Sequence, residues 1–133
     1  MTDDEIRDCY AVMSELRPHL APEEFVSRVR SQMESFGYRL VCLRDGDVHA
    51  VGGIRVSECL AGGRYMEIDD LVAREGERSK GYGGQLFDWI VDLARKENCE
   101  EVNLISRVTR FGAHRFYLRK RMDIEAHYFS MKL

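Results

Sequence analysis

Arg78-Ser79-Lys80-Gly81-Tyr82-Gly83-Gly84 stands between a β-rich run, Tyr65 to Ala73, and a helix-forming run, Gln85 to Lys96. Glycines at a strand-to-helix junction let the backbone approach a ligand without Cβ interference, and the first turn of a helix offers unpaired N–H groups and a partial positive charge. The stretch therefore reads as an anion cradle, with Arg78 and Lys80 placed to screen a phosphate. It also organises its neighbours. The apolar run Glu101 to Ser106 follows the helix, and parallel pairing with Tyr65 to Ala73 makes one right-handed βαβ unit.

Upstream, Tyr38 to Leu43 and Val48 to Val56 are rich in β-formers and flank Arg44-Asp45-Gly46-Asp47, whose Asp-Gly step signals a hairpin. Gly52-Gly53 interrupts the second strand and implies a bulge, or a close approach by another backbone or a ligand. After the turn Ala61-Gly62-Gly63, Tyr65 to Ala73 completes a meander. There Glu67 and Asp69 alternate with Met66 and Ile68 until the acidic pair Asp69-Asp70 meets the apolar pair Leu71-Val72. A bulge at that stumble would reset which face each side chain meets.

Two helices precede the sheet. Ile6, Cys9, Tyr10, Met13 and Leu16 keep helical spacing up to Arg17-Pro18, and a second helix opens at Ala21-Pro22 and ends at Gly37. Both serve to cover one face of the sheet. Asn98 is expected as a left-handed cap of the helix after the glycine loop. A short helix covers Phe111 to Lys120, and the alternation of His127 to Leu133 predicts a closing antiparallel strand. The fold class is α+β: a mixed, mostly antiparallel central sheet with flanking helices and one parallel βαβ unit.

At 133 residues, 44% hydrophobic and 32% charged, the chain is expected to form a single domain over residues 1–133 with the composition of a soluble globular protein. No run reaches the roughly 18 apolar residues of a membrane span, and Met1-Thr2-Asp3-Asp4-Glu5 is unlike a signal peptide, so a cytoplasmic protein with no membrane partner is expected. A net charge of −3 argues against a nucleic-acid partner. Cys9, Cys42, Cys59 and Cys99 are widely spaced, and His49, His114 and His127 have neither triad nor metal spacing; reduced thiols and no metal site are expected.

The order of elements and three motifs resemble the GNAT superfamily of acetyl-CoA-dependent N-acetyltransferases. The family's acetyl-CoA signature, Gln/Arg-x-x-Gly-x-Gly/Ala, is matched by Arg78-x-x-Gly81-x-Gly83. Glu67-Ile68 falls on the preceding strand, where several members carry a general-base Glu. Ala113-x-x-Phe116-Tyr117 matches the segment whose Tyr commonly protonates the departing thiolate.

The resemblance implies an acyltransferase moving an acetyl group from acetyl-CoA to a primary amine by direct attack in a ternary complex. It places catalysis on Tyr117 and Glu67, and acetyl-CoA on Leu71, Val72, Ala73, Arg78, Ser79, Lys80, Gly81, Tyr82, Gly83 and Gly84. The alternative is a non-catalytic acyl-CoA-binding regulatory module. Three features depart from the pattern: Arg110 stands where Asn is frequent, Arg121-Met122 replaces Gly-Phe, and the family's first strand is missing or shortened. The edge so uncovered raises the expectation of a homodimer. The acids Glu67, Asp69 and Asp70 point to a cationic amine, on a small molecule or a peptide, with Asp69, Asp70 or water as alternative bases.

Overall fold

The computed structural model describes residues 1–133, which group into two compact units, Met1–Asn103 and Leu104–Leu133. The first opens with helices α1 (Asp3–Leu16) and α2 (Pro22–Phe36). Strands β1 (Arg39–Asp45), β2 (Asp47–Cys59) and β3 (Gly63–Ala73) follow, then helix α3 (Tyr82–Lys96) and strand β4 (Glu101–Leu104), whose last residue begins the second unit. That unit holds helix α4 (Phe111–Arg119).

The sheet order is β1-β2-β3-β4. β1 with β2 and β2 with β3 are antiparallel, and β4 supplies the parallel pair across α3. The mixed sheet and its βαβ unit are therefore as expected, with two corrections. β4 is four residues long and stops at Leu104. His127 to Leu133 forms no strand, and residues 122–133 carry no regular structure. Alternation permits a strand, but a strand exists only when an edge pairs with it.

Local chemistry accounts for the helix ends. Thr2 and Glu5 form a reciprocal capping box at the start of α1, and Pro18 limits its continuation past Arg17. α2 starts with Pro22 in its first turn and stops at left-handed Gly37. α3 begins at Tyr82, ahead of the expected Gln85, and closes on Asn98 at φ 61°. Cys99 N–H reaches Ala94 O and Asn98 N–H reaches Arg95 O, the paired bonds of a Schellman end.

Each face of the sheet has its own cover. α1 and α2 bury Ile6, Val12, Met13, Phe25 and Val29 against Leu40, Val51 and Val72. On the opposite face α3 buries Leu86, Phe87, Ile90 and Ala94, and Ile90 lies within 3.3 Å of where a Gly52 Cβ would stand. Gly53 pairs with Asp70 but Ile54 pairs with Ile68, so Asp69 is the extra residue of a bulge. Met66 and Ile68 are buried before it, and Val72 belongs to the α1–α2 core after it. The expected reset of facing thus occurs at the Asp69-Asp70 step. Its consequence is that Glu67, Asp69 and Asp70 all face α1 and α2.

Candidate active site

Asp70 is the hub of this face. Its Oδ2 accepts the Tyr38 hydroxyl at 2.9 Å and its Oδ1 accepts Arg17 Nε at 2.9 Å. Arg17 also donates to Asp69 O at 3.1 Å, fastening the end of α1 to the bulge. Burial, followed by the adjacent Asp70 carboxylate, pushes the Tyr38 phenol well above its ordinary range, so it remains a proton donor. The close approach expected at Gly52-Gly53 is this pair of side chains: a Cβ on Gly53 would overlap both the Tyr38 hydroxyl and the Asp70 carboxylate.

Asp69 is held separately by Arg55, whose guanidinium also donates to Gln32 and to Phe36 O and lies 5.5 Å from the Tyr38 ring centroid. Glu67 stands opposite Arg55 across the β2–β3 pair. Burial and then the neighbouring Asp69 raise its carboxyl above the ordinary value, with Arg55 opposing them. The three acids are therefore not one bare anionic patch. Two are committed to guanidinium partners, and Glu67 is the one held short of full ionic stabilisation.

Beyond the bulge lies the glycine loop. Arg78–Lys80 form a short 3-10 turn, Gly81 takes a left-handed conformation at φ 80°, and α3 starts without a capping side chain. The N–H groups of its first turn therefore keep the capacity to bind an anion. The loop is strapped at several points. Glu15 accepts the Glu75 N–H at 2.8 Å and approaches Arg78 at 3.5 Å, while Arg78 Nε reaches Ala73 O at 3.4 Å. His49 pairs with Glu77 and stacks on Tyr82, 4.4 Å between ring centroids. Lys80 is exposed and makes no ion pair.

The start of β4 is fixed by the Glu100 N–H bonding to Arg64 O at 2.7 Å. Four residues of parallel pairing reach only about as far as Ile68. Leu71, Val72 and Ala73 therefore extend past β4, with β2 on their other side. A left-handed glycine and an uncapped helix start can receive an anion, and the overhanging strand offers backbone groups to an extended chain.

The comparisons with known proteins bear on the whole chain. The family profile described as acetyltransferase (GNAT) family matches residues 4–122. The chain belongs to the GNAT acetyltransferase family. It is 36% identical over 118 residues to the uncharacterized N-acetyltransferase YhdJ of Bacillus subtilis, covering 88% of this chain and 83% of that protein. It is 34% identical over 84 residues to the aminoalkylphosphonate N-acetyltransferase of Salmonella typhimurium, covering 62% of this chain and 54% of that enzyme. A putative acetyltransferase from Agrobacterium tumefaciens superposes with a TM-score of 0.85 at 18% identity, over 100% of this chain and 96% of that one, a likeness of fold. The protein is an acyltransferase enzyme, and the GNAT family implies acetyl-CoA as co-substrate.

The predicted site residues divide between the two units. Glu67, Leu71 to Ala73 and Arg78 to Gly84 belong to the first, where the bulged strand leads directly into the loop. Tyr117 lies on α4 in the second, edge-on to Phe116 with ring centroids 5.4 Å apart. Burial raises its phenol above the ordinary value, with Arg110 pulling the other way. Sequence reasoning missed Arg17, Tyr38, Glu15 and the His49–Glu77 pair. Arg17 and Asp70 are 53 residues apart, and no local pattern joins them. The four cysteines are free thiols. No group of three or more His, Cys, Asp or Glu side chains gathers as metal ligands, and no helix is long and apolar enough to cross a membrane.

Proposed function

We propose that residues 1–133 act as one N-acetyltransferase domain, transferring the acetyl group of acetyl-CoA to a primary amine by direct attack in a ternary complex. The observation that carries this reading is the loop: Gly81 turns left-handed into an uncapped helix immediately after a bulged strand. The family match extends over residues 4–122 and so takes in both units.

Acetyl-CoA supplies a thioester carbonyl open to attack. The first turn of α3, with Arg78, Ser79, Lys80 and Gly81 to Gly84, binds its diphosphate, and the backbone of Leu71, Val72 and Ala73 holds the arm. An alkylammonium with a pKa of about 10 must lose a proton before it can attack. Glu67 receives that proton. Its raised proton affinity makes it a better base than an ordinary surface carboxylate. Tyr117 donates to the departing thiolate, and its raised pKa keeps the phenol in the acid form beforehand. Much of the acceleration comes from holding two substrates in register.

Calorimetry with acetyl-CoA up to millimolar concentration tests the donor site, and the absence of a binding heat removes the proposal's basis. Thiol release is then measured with a panel of amines. Tyr117→Phe is expected to lower kcat by roughly a hundredfold with acetyl-CoA affinity unchanged. Equal rates take Tyr117 out of the mechanism. Tight acetyl-CoA binding with no thiol release from any amine would identify a non-catalytic acyl-CoA-binding module instead.

A further inference from the structure

We infer that the amine acceptor is a small molecule that also carries an anionic group, carboxylate or phosphoryl, and that it occupies the cleft between α1, α2 and β3. The inference rests on the acetyl-transfer reading and names its second substrate. The cleft encloses about 270 Å³, just below the usual range for drug-sized ligands, which suits a compound of few heavy atoms.

Its charge is lopsided. Arg17, just after α1, and Arg28, on α2, supply two guanidinium groups, whereas Asp70 is the one acid in the lining. Both Asp70 oxygens are already engaged, by Arg17 and by the Tyr38 hydroxyl. Arg28 has only a loose partner: Glu24 lies 3.9 Å away, and both side chains are more than half exposed. A guanidinium thus borders a concave, partly apolar pocket without a committed counter-charge. An anion entering there gains charge-assisted hydrogen bonds from a planar fork built for carboxylate or phosphoryl oxygens. A polyamine or a lysine side chain would bring like charge against Arg28, which no acid of the lining neutralises. The cationic amine expected from Glu67, Asp69 and Asp70 is thereby narrowed to one that also carries an anionic group.

The orientation follows from the bulge. Asp70, on the cleft floor, directly precedes Leu71 to Ala73, the segment assigned to the acyl arm. An amine at the Asp70 end lies toward the donor, and an anionic tail at the Arg28 end lies away from it. Gly53 keeps this floor open to the Tyr38–Asp70 pair, which a side chain there would displace.

The test is direct binding to the full chain, followed by NMR titration without acetyl-CoA, using matched amines: O-phosphoethanolamine against ethanolamine, β-alanine against propylamine, and spermidine. The anionic member of each pair is expected to bind at least roughly tenfold tighter. Arg28→Gln should bring that ratio toward one, and Arg28→Lys should keep part of it; a melting curve for each variant checks that it is folded. Equal binding within the pairs, a preference for spermidine, or a ratio unchanged in Arg28→Gln overturns the inference. Adding acetyl-CoA separates the two readings. Tight binding of anionic amines without thiol release leaves the cleft specificity standing and defeats acetyl transfer, whereas fastest release with spermidine does the reverse.

Discussion

At Gly53 the missing side chain is a structural requirement, because Tyr38 and Asp70 fill the space a Cβ would take. Gly53→Ala is expected to cost about 1–3 kcal/mol, the range for forcing atoms into a packed site, read from urea midpoints at unchanged m-value. A variant as stable as the parent would show that the Tyr38–Asp70 contact yields without penalty. Glu67 permits a test by pH. Its folded-state pKa is raised above the ordinary 4.5, so ionisation is disfavoured in the native protein. There is no penalty below the unfolded value, and stability falls as pH rises through the folded value. Glu67→Gln should therefore raise the melting temperature at pH 7 and lose that advantage near pH 3. A gain of equal size at both pH values would assign the effect to something other than the carboxylate charge.

At the scale of elements, helix ends are set by a few backbone bonds whose residues differ in how well they suit them. α4 ends as α3 does: Met122 N–H bonds Tyr117 O at 3.1 Å and Arg121 N–H bonds Leu118 O at 3.0 Å. The left-handed position is filled by Arg121 at φ 67°, a conformation that glycine adopts without cost. The turn is kept and the strain is borne by the backbone, about 1–2 kcal/mol for an L-residue in this region. Arg121→Gly should stabilise the end of α4 by about 0.5–1 kcal/mol once the greater unfolded-state freedom of Gly is subtracted. Slower amide exchange at Arg121 and Met122 would register it; faster exchange would contradict it. At the start of α1, Thr2→Ala removes half of the capping box and should cost about 1 kcal/mol. Fraying confined to the first turn, seen by the same exchange measurement, is the expected pattern.

For the molecule as a whole, acetyl-CoA binding must appear as stability. At a hundred times its dissociation constant the ligand adds about 2.7 kcal/mol, a rise of roughly 5–15 °C in melting temperature for a chain of this size. A flat melting temperature across that titration would count against the donor site. The elements of this fold were largely legible because their signals are local: apolar spacing for α1 to α3, Asp45-Gly46 for the hairpin, and a glycine loop between strand and helix. The bulge was legible too, since Asp69-Asp70-Leu71-Val72 cannot alternate. The closing strand was misread because the pattern from His127 to Leu133 is local permission, while pairing is a long-range event. Tyr38 and Arg17 were invisible as site residues for the same reason: they meet Asp70 across 32 and 53 positions. Sequence by itself determined the order of elements, the glycine loop between strand and helix and the resemblance to an acetyl-CoA enzyme, because spacing, turn chemistry and motif lie within short windows. Only the tertiary structure decided that Asp69 and Asp70 are already paired with guanidinium groups and that Arg28 borders the cleft beside Asp70, because the charges that line a pocket depend on which distant side chains are brought together.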